Sequence, residues 1–374
     1  MRHLTAVAAA AACWLAALPA SAEDFHDTSA GKVSVEKMAD GLSYPWSFAF
    51  LPDGDVLVTE RDNGKLLRIT PGTDRRTEVA GVPEVSNAGQ GGFFDVVPAR
   101  DFGTTRELFL TYARPETSSL KRTALAIARL SDDGNSLENF RVIFQLKDAT
   151  SSNAHFGGRV VEADDGKLFL TVGDRGDAQR AQDPNAHNGK LIRVNRDGSI
   201  PSDNPFANGP LLPEIWSMGH RNPQGAALDE KGRIWTVAHG ARGGDEINQP
   251  QAGLNYGWPI ISYGTHYSGG KIGVGTEAPG MEQPKHYWDP SIAPSGMTIY
   301  SGKLFPEWQG DIFVGSLKFD LISRLDRDDD RITGEEQLFE GDYNRIRDIR
   351  EAPDGSIWFL SVGDRSLYRM TPAN

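Results

Sequence analysis

Two residues that could together act as a general base belong to one predicted sheet unit. His155 stands just before a strand, and Asp174 lies at the end of the same unit. One sheet unit can therefore bring the two side chains together. A carboxylate that accepts a hydrogen bond from an imidazole N–H fixes the tautomer of the ring and raises its basicity. A histidine near a turn is also commonly a structural hydrogen-bond partner, and the sequence leaves that alternative open.

Three cationic residues in the last third of the chain suggest an anion site. Arg345 and Arg347 are two positions apart, so on a strand both guanidinium groups point to the same side. Lys318 precedes another predicted strand. If all three line one channel, they predict a site for a small polyanion, because guanidinium groups bind carboxylates and phosphates in bidentate fashion. The alternative is surface pairing, in which Asp342 or Asp348 neutralises the arginines.

A glycine-rich segment, GARGGDEIN (240–248), could bind a cation. Exposed carbonyls and the carboxylates of Asp245 and Glu246 are oxygen ligands of the kind that Ca²⁺ prefers, although the spacing is not that of an EF-hand. A nearby segment, GHRNPQG (219–225), concentrates polar side chains that include Arg221. Arg221 could contact a ligand there or satisfy the carbonyls of its own loop.

These residues lie beside copies of one local pattern, in which a glycine-containing turn is followed by an alternating apolar strand and another turn. Six copies are present, at 51–69, 105–113, 163–177, 229–243, 309–326 and 352–364. Such alternation fits a pleated strand, and Asp-Gly before several of the runs is a hairpin signal. Units of about 45 residues or more suit propeller blades better than the coils of a β-helix. A β-sandwich is the other rival.

The pattern therefore predicts an all-β protein, a six-bladed β-propeller of four-stranded antiparallel blades. We expect one propeller domain over residues 23–374, closed by pairing of residues 33–35 with 367–369 in a shared blade. The glycine- and proline-rich stretch 240–295 is interpreted as a functional loop insertion rather than a linker. In a propeller, loops from all blades converge at the mouth of the channel, so the polar residues above are expected to meet there.

The first residues predict export. A single Arg2 precedes an apolar run that ends in Ala20-Ser21-Ala22, which has the form of a signal-peptidase site. We therefore expect a signal peptide at residues 1–22 and a periplasmic mature protein, since the apolar run is short for a membrane anchor. Cys13 is the only cysteine in the chain, so the mature protein would contain no disulfide and no reactive thiolate.

The charge balance excludes some partners. The chain has 39 basic and 51 acidic residues, a net charge of -12. An acidic protein is poorly suited to bind a nucleic-acid backbone, so no nucleic-acid partner is expected. No apolar stretch after the leader approaches membrane length, so no membrane insertion is expected. A local cluster of lysine and arginine in such a chain needs an explanation of its own.

Taken in order, several segments resemble the soluble quinoprotein sugar dehydrogenases. The segments are HRNPQG, GARGGDEIN, NYGWP (255–259) and GKLIRVNRDGSIPSDNPF (189–206). This is the glucose/sorbosone dehydrogenase family, which uses pyrroloquinoline quinone (PQQ), and the chain is most similar to its aldose sugar dehydrogenase type. The resemblance extends from residue 41 to the last predicted blade.

The resemblance implies a role for each matching residue. The implied catalytic residues are the base His155, the carboxylate Asp174 that orients it, and Asp245 near the substrate. The implied PQQ-binding residues are Gln90, His155, Arg221, Asn222, Lys318, Arg345 and Arg347. The carbonyls of Gly240 and Ala241 correspond to ligands of a catalytic Ca²⁺, and Glu246 with the carbonyl of Tyr256 to those of a structural Ca²⁺. The implied sugar contacts are Gln179, Tyr287 and Trp288.

The implied reaction is oxidation of an aldose at C1 to the lactone. His155 takes the proton of the anomeric hydroxyl, a hydride moves to PQQ, and a separate electron acceptor reoxidises the cofactor. Ala241 stands where the glucose dehydrogenase branch has proline, and the loops at 262–295 also differ from that branch, so glucose selectivity does not follow. Two other hypotheses remain: a Ca²⁺-dependent lactone hydrolase on a propeller, and a propeller that only binds a glycan or protein.

Overall fold

Six antiparallel sheets surround a central channel in the computed structural model, which describes residues 23–373. The predicted signal peptide, residues 1–22, lies outside the described residues. The first strands of neighbouring blades contact one another around the whole ring, which confirms the predicted six-bladed propeller. Each of the six repeated sequence patterns supplies the second strand of a different blade.

The N-terminal strands are β1 (Glu23–Thr28) and β2 (Gly31–Ala39). Blade 1 contains β3 (Pro45–Phe50), β4 (Val56–Glu60), β5 (Lys65–Ile69) and β6 (Arg76–Glu78). Blade 2 contains β7 (Phe93–Pro98), β8 (Glu107–Pro115), β9 (Lys121–Leu130) and β10 (Leu137–Gln145). Blade 3 contains β11 (Val160–Glu162), β12 (Leu168–Val172), β13 (Lys190–Val194) and β14 (Ile215–Met218).

Blade 4 contains β15 (Pro223–Leu228), β16 (Ile234–Ala238), β17 (Asp245–Asn248) and β18 (His286–Trp288). Blade 5 contains β19 (Pro294–Ile299), β20 (Ile312–Ser316), β21 (Ile322–Asp328) and β22 (Arg331–Leu338). Blade 6 contains β23 (Ile346–Glu351), β24 (Ile357–Ser361) and β25 (Ser366–Pro372). The helical turns are α1 (Phe102–Thr105) and two 3₁₀ helices, Ala178–Gln182 and Pro306–Trp308. No helix in the described part of the chain is long and apolar enough to cross a membrane.

The ring closes by joining the two ends of the chain. Strand β2 pairs with β25, as the sequence predicts, but residues 33–35 lie opposite 370–372 rather than 367–369, with Val35 opposite Met370. Strand β1 then adds a fifth strand at the edge of blade 6. Val35 and Met370 are buried in an apolar cluster with Phe359, so closure buries apolar surface as well as pairing the backbones.

The second strand of each blade is buried on both faces because the two neighbouring blades pack against it, one on each face. In blade 1 the hydroxyl of Thr59 donates to the carbonyl of Phe94 in blade 2, at 2.6 Å. In blade 3 Thr171 donates to the carbonyl of Pro223 in blade 4, at 3.2 Å, and Thr111 of blade 2 bonds to blade 3 in the same way. These bonds satisfy buried hydroxyls and tie the inner strand of each following blade to the previous blade.

Four charged side chains, of which Arg350 is partly exposed and the other three are buried, join the inner strands across the channel. Asp95 of blade 2 contacts Arg350 of blade 6 at 2.6 Å and Arg159, just before blade 3, at 3.1 Å. Asp348 contacts the same two arginines, each at 3.0 Å. Ser47 of blade 1 donates to Asp95 at 2.6 Å. This set of Asp95, Arg159, Asp348 and Arg350, the channel ring, is electrically neutral and links blades 2, 3 and 6, and Ser47 extends the contacts to blade 1.

Candidate active site

A cavity of 880 Å³ occupies the channel mouth, and all six blades or their connecting loops contribute to its wall. The sequence-predicted residues that line it are Gln90, His155, Arg221, Asn222, Ala241, Lys318, Arg345 and Arg347. Residues separated by up to 257 positions in sequence, Gln90 and Arg347, thus face one space. Trp46, Phe94 and Phe156 form an apolar part of the wall, with ring centroids 5.4–5.5 Å apart in succession.

His155 and Asp174 form the predicted pair. His155 Nδ1 lies 2.6 Å from Asp174 Oδ1, and the backbone N–H of His155 donates to Gln90 Oε1 at 2.8 Å. The backbone of His155 adopts a φ of 52°, a left-handed conformation that non-glycine residues seldom take. Gln90 and Asp174 therefore fix both the backbone and the ring of a strained residue at the cavity wall.

Asp174 is held as an acceptor on both oxygens. Its Oδ1 also accepts the N–H of Gly176 at 2.7 Å, and its Oδ2 accepts the indole N–H of Trp258 at 2.8 Å. Burial raises the pKa of Asp174, but the bonds from His155, Gly176 and Trp258 outweigh it, so the net pKa lies below the ordinary aspartate value. An ionised Asp174 accepts the Nδ1–H of His155, which leaves Nε2 as the basic nitrogen.

Five cationic side chains line the cavity without a carboxylate within 4.0 Å among the described residues: Arg221, Arg242, Lys318, Arg345 and Arg347. The side-chain hydrogen bonds of four of them, Arg221, Lys318, Arg345 and Arg347, go to neutral oxygens instead. Arg345 donates to the carbonyl of Leu317 at 2.9 Å, and Lys318 donates to that of Ser291 at 3.1 Å. In a protein with a net charge of -12, this unpaired positive charge marks the cavity as a site for an anion.

The alternative of neutralised surface arginines is not observed. The carboxylate of Asp348 is engaged by Arg159 and Arg350 in the channel ring, and Asp342 pairs with His26.

The backbone geometry that directs Arg345 and Arg347 into the cavity differs from the predicted strand alternation. Arg345 precedes β23 with a φ of 54°, and the pairing register shifts between residues 346 and 348, so a bulge rather than simple alternation aims both side chains inward.

Burial strongly lowers the pKa of the Arg347 guanidinium. Desolvation, followed by the charges of Arg61, Arg345 and Arg159, lowers the pKa of Arg347 to about 9. A bound anion would favour the charged guanidinium and so oppose this shift. A carboxylate ligand in the cavity would therefore stabilise the charged form of Arg347.

The glycine-rich segment forms a tight loop on one wall. The Gly240 N–H donates to Asp245 Oδ1 at 2.8 Å, while Asp245 Oδ2 accepts from Ser291 Oγ at 2.7 Å and from the Ala293 N–H at 3.0 Å. A Cβ on Gly240 would lie 2.2 Å from the carbonyl oxygen of Gly243, so only glycine fits. Asp245 thus fixes the loop that presents the Gly240 and Ala241 carbonyls.

A second group of oxygens lies behind this loop. Glu246 lines a small pocket with Asn248 and Ser262, and burial raises the pKa of Glu246 to about 7. The Oδ1 atom of Asn248 is buried and has no hydrogen-bond partner among residues 23–373. A carboxylate and an amide oxygen that lacks a donor are ligands that suit a hard cation. Tyr256 does not line this pocket with them; its ring stacks on His220, with centroids 5.0 Å apart.

Comparison with known proteins decides the family. Residues 42–369 match the family described as Glucose / Sorbosone dehydrogenase. The chain belongs to this family. It is 40% identical over 347 residues to aldose sugar dehydrogenase YliI of Escherichia coli (strain K12), covering 91% of this chain and 94% of that protein.

Solved structures agree with that assignment. The apo-form structure of the soluble aldose sugar dehydrogenase of Escherichia coli has a TM-score of 0.88 and 40% identity, covering 91% of this chain and all of the other. The PQQ-bound aldose sugar dehydrogenase of Streptomyces coelicolor has a TM-score of 0.75 and 27% identity, covering 91% of this chain and 98% of the other. An oxidoreductase of the sugar dehydrogenase type is thereby supported for this family member.

Three residues predicted from the sequence to contact the sugar lie away from the cavity of this family member. Trp288 is 5% exposed, sits in the core with Trp235, and its indole N–H donates to Glu335 at 3.0 Å. Tyr287 stacks on Tyr263 at 4.0 Å outside the cavity wall, and Gln179 is exposed on a 3₁₀ helix. Asp245, predicted to lie near the substrate, is fully buried and bonds to the Gly240 loop.

The structure adds cavity residues of this dehydrogenase that sequence reasoning missed. Tyr267 is 74% exposed in the long connection between β17 and β18, where no periodic pattern could place it. Arg61 directly follows β4, one position before the equivalent of Asp174, which is the second residue after β12, so the blade repeat could have drawn attention to it. Gln224 lies inside the HRNPQG motif, yet its direction depends on the bulge at the start of β15.

Proposed function

We propose that this protein oxidises aldose sugars at C1 to the corresponding lactones, with PQQ and Ca²⁺ bound in the cavity. The observation that carries the proposal is the set of five unpaired cations in a cavity of 880 Å³ within an acidic protein. PQQ carries three carboxylates, and guanidinium groups recognise carboxylates through paired hydrogen bonds. The match to the dehydrogenase family supports the same conclusion.

The residues present fit both groups. Arg221, Lys318, Arg345 and Arg347 would bind the cofactor carboxylates. No group of three His, Cys, Asp or Glu side chains in residues 23–373 is arranged to bind a metal. A Ca²⁺ ion would therefore take carbonyl ligands from the loop at Gly240, which backbone oxygens crowd. When bound, PQQ accepts the hydride of the sugar with its electron pair, and Ca²⁺ acts as a Lewis acid.

His155 removes the proton of the C1 hydroxyl through Nε2. The carboxylate of Asp174 stabilises the imidazolium that results, because it lies 2.6 Å from Nδ1 and is fixed by two further donors. Gln90 holds the backbone of His155, so the ring does not move away when it becomes charged. The aromatic wall of Trp46, Phe94 and Phe156 limits water on one side of the site.

Replacing Asp174 by asparagine tests this arrangement. An asparagine that turns its NH₂ toward His155 would favour the Nε2–H tautomer, which cannot accept the substrate proton. We expect kcat to fall by up to about 10⁴-fold, by analogy with the same change in a Ser-His-Asp triad. Because Asp174 does not line the cavity, the Kd of PQQ should stay within about threefold of wild type. Steady-state kinetics and a PQQ titration check both expectations, and unchanged kcat would contradict the role.

The direct test is reconstitution of the protein with PQQ and Ca²⁺, followed by dye reduction with a panel of aldoses. We expect turnover with several aldoses, formation of the lactone, and loss of activity when PQQ is omitted or Ca²⁺ is chelated. The artificial dye replaces the separate electron acceptor that we propose to act in the periplasm. No turnover with any aldose would overturn the proposal. Lactone hydrolysis that does not depend on PQQ would favour the hydrolase alternative, and PQQ binding without turnover a non-catalytic propeller.

A further inference from the structure

Gln224 is buried where three parts of the cavity meet. It is 9% exposed, lines the cavity and lies at the start of the inner strand of blade 4. Its Oε1 accepts from Arg347 of blade 6 at 3.1 Å, and its Nε2 lies 3.2 Å from Asn222 Oδ1 and 3.4 Å from the carbonyl of Gly157. One amide therefore contacts an anion-binding arginine, a polar residue of the cavity and the segment that follows His155.

The orientation of these amides follows from groups that can only donate. A guanidinium has no acceptor, so the atom of Gln224 that faces Arg347 is the oxygen. The NH₂ group of Gln224 then faces Asn222 and the Gly157 carbonyl. Independently, the backbone N–H of Gly157 donates to Asn222 at 3.2 Å, which requires an oxygen there as well. Both neighbours thus assign the same atom of Asn222 as Oδ1.

These bonds place a hydrogen-bond donor, the NH₂ group of Asn222, at a defined position on the cavity wall. With two donors on its Oδ1, the 4%-exposed side chain of Asn222 has its NH₂ group left for the cavity that it lines. A donor suits an anionic or carbonyl-bearing ligand, whereas the reverse orientation would present a lone pair and repel it. The orientation of this series of hydrogen bonds is set at Arg347, whose charge polarises the amide of Gln224.

We propose that Gln224 is a positioning residue that fixes Asn222 with its N–H bonds toward the bound cofactor, an inference that rests on the proposed function. Gln224 does not react and supplies no charge. It makes the affinity contributions of Arg347 and Asn222 depend on each other, because it bonds to both. The coupling between Gln224 and Asn222 in PQQ binding is the property to measure.

A double-mutant cycle on PQQ binding tests the inference. We expect Gln224→Met, which keeps the length of the side chain and removes its hydrogen bonds, to raise the Kd of PQQ about tenfold. In an Asn222→Ala background the same substitution should raise Kd by no more than about threefold, since the residue through which it acts is gone. Equal fold-changes in the two backgrounds, or wild-type affinity in Gln224→Met, would overturn the proposal.

A second variant and a matched control complete the experiment. Gln224→Glu keeps an acceptor for Arg347, so it should fold, but it turns an oxygen toward Asn222 Oδ1 and neutralises a cation; its Kd should rise more than that of Gln224→Met. Gln145 also accepts from an arginine, Arg114, on blade 2 outside the cavity. Gln145→Met should bind PQQ like wild type, and an equal loss there would assign the effect to general stability. Failure of wild type itself to bind PQQ would instead overturn the proposed function.

Discussion

Replacing His155 by alanine should lower kcat by about 10²–10⁴-fold, the range that a positioned general base contributes. The expected loss is large because Nε2 of His155 is the basic atom left free once Nδ1 donates to Asp174. Binding should change little, since the anion-binding cations remain in place, so the Kd of PQQ should stay within about threefold. Stopped-flow reduction of the bound cofactor by excess aldose measures the chemical step directly.

A matched control for this variant is available in blade 3. His187 is also buried and paired with a carboxylate, Glu214 at 3.3 Å, but it lies outside the cavity. His187→Ala should keep kcat within about twofold of wild type for the folded protein. If His155→Ala kept comparable turnover, His155 would not be the base, and another cavity residue would have to take the proton.

The second large effect concerns stability. Replacing Asp95 by asparagine should lower the free energy of unfolding by about 3–5 kcal/mol, because it leaves the two arginines of the channel ring with one carboxylate and a net buried charge. Asp95 is fully buried and accepts from Ser47, Arg350, Arg159 and the backbone N–H of Val160. Denaturant unfolding of the wild type and the variant measures the difference.

The pH dependence of this loss follows from the Asp95 carboxylate. Burial raises its pKa, but the charges of Arg159 and Arg350 outweigh burial and hold the net pKa below the ordinary value. A carboxylate with a lowered pKa in the folded state stabilises above its unfolded pKa of about 4, and this stabilisation is lost as the pH falls further. The difference between wild type and Asp95→Asn should therefore be full at neutral pH and shrink in acid.

An exposed ion pair provides the comparison for Asp95. Asp53 also pairs with an arginine, Arg68 at 2.7 Å, but its side chain is 54% exposed. Asp53→Asn should cost less than about 1 kcal/mol, since water screens the pair. Equal costs for Asp95→Asn and Asp53→Asn would show that the channel ring does not stabilise the propeller.

The propeller and the core of its site were predictable from local sequence. Each blade repeats a turn and an apolar strand within a short stretch, and strand alternation is a local property. The approach of His155 to Asp174 follows from the same logic, because both residues flank two adjacent strands of one blade. The positive charge of the cavity was also predictable, because a cluster of cations in an acidic chain requires a counter-charge.

The remaining residues depend on features that no periodic pattern describes. Trp288 and Tyr287 lie on the short edge strand β18, and only the packing of blade 4 decides that Trp288 enters the core. Arg345 reaches the cavity through a bulge, whereas alternation alone would place it on the strand. The bonds of Gln224 join blades 4 and 6, which are far apart in sequence. Such contacts follow from tertiary geometry.

A calorimetric titration of PQQ into the cofactor-free protein in the presence of Ca²⁺ is the most direct test of the proposed cofactor site. We expect saturable binding of one PQQ per chain, weakened by added salt. The double variant Arg345→Gln/Arg347→Gln should bind at least about 100-fold more weakly, because two charge-assisted contacts are lost. An absence of binding to wild type, or equal affinity in the double variant, would contradict the claim that this cavity is a PQQ site.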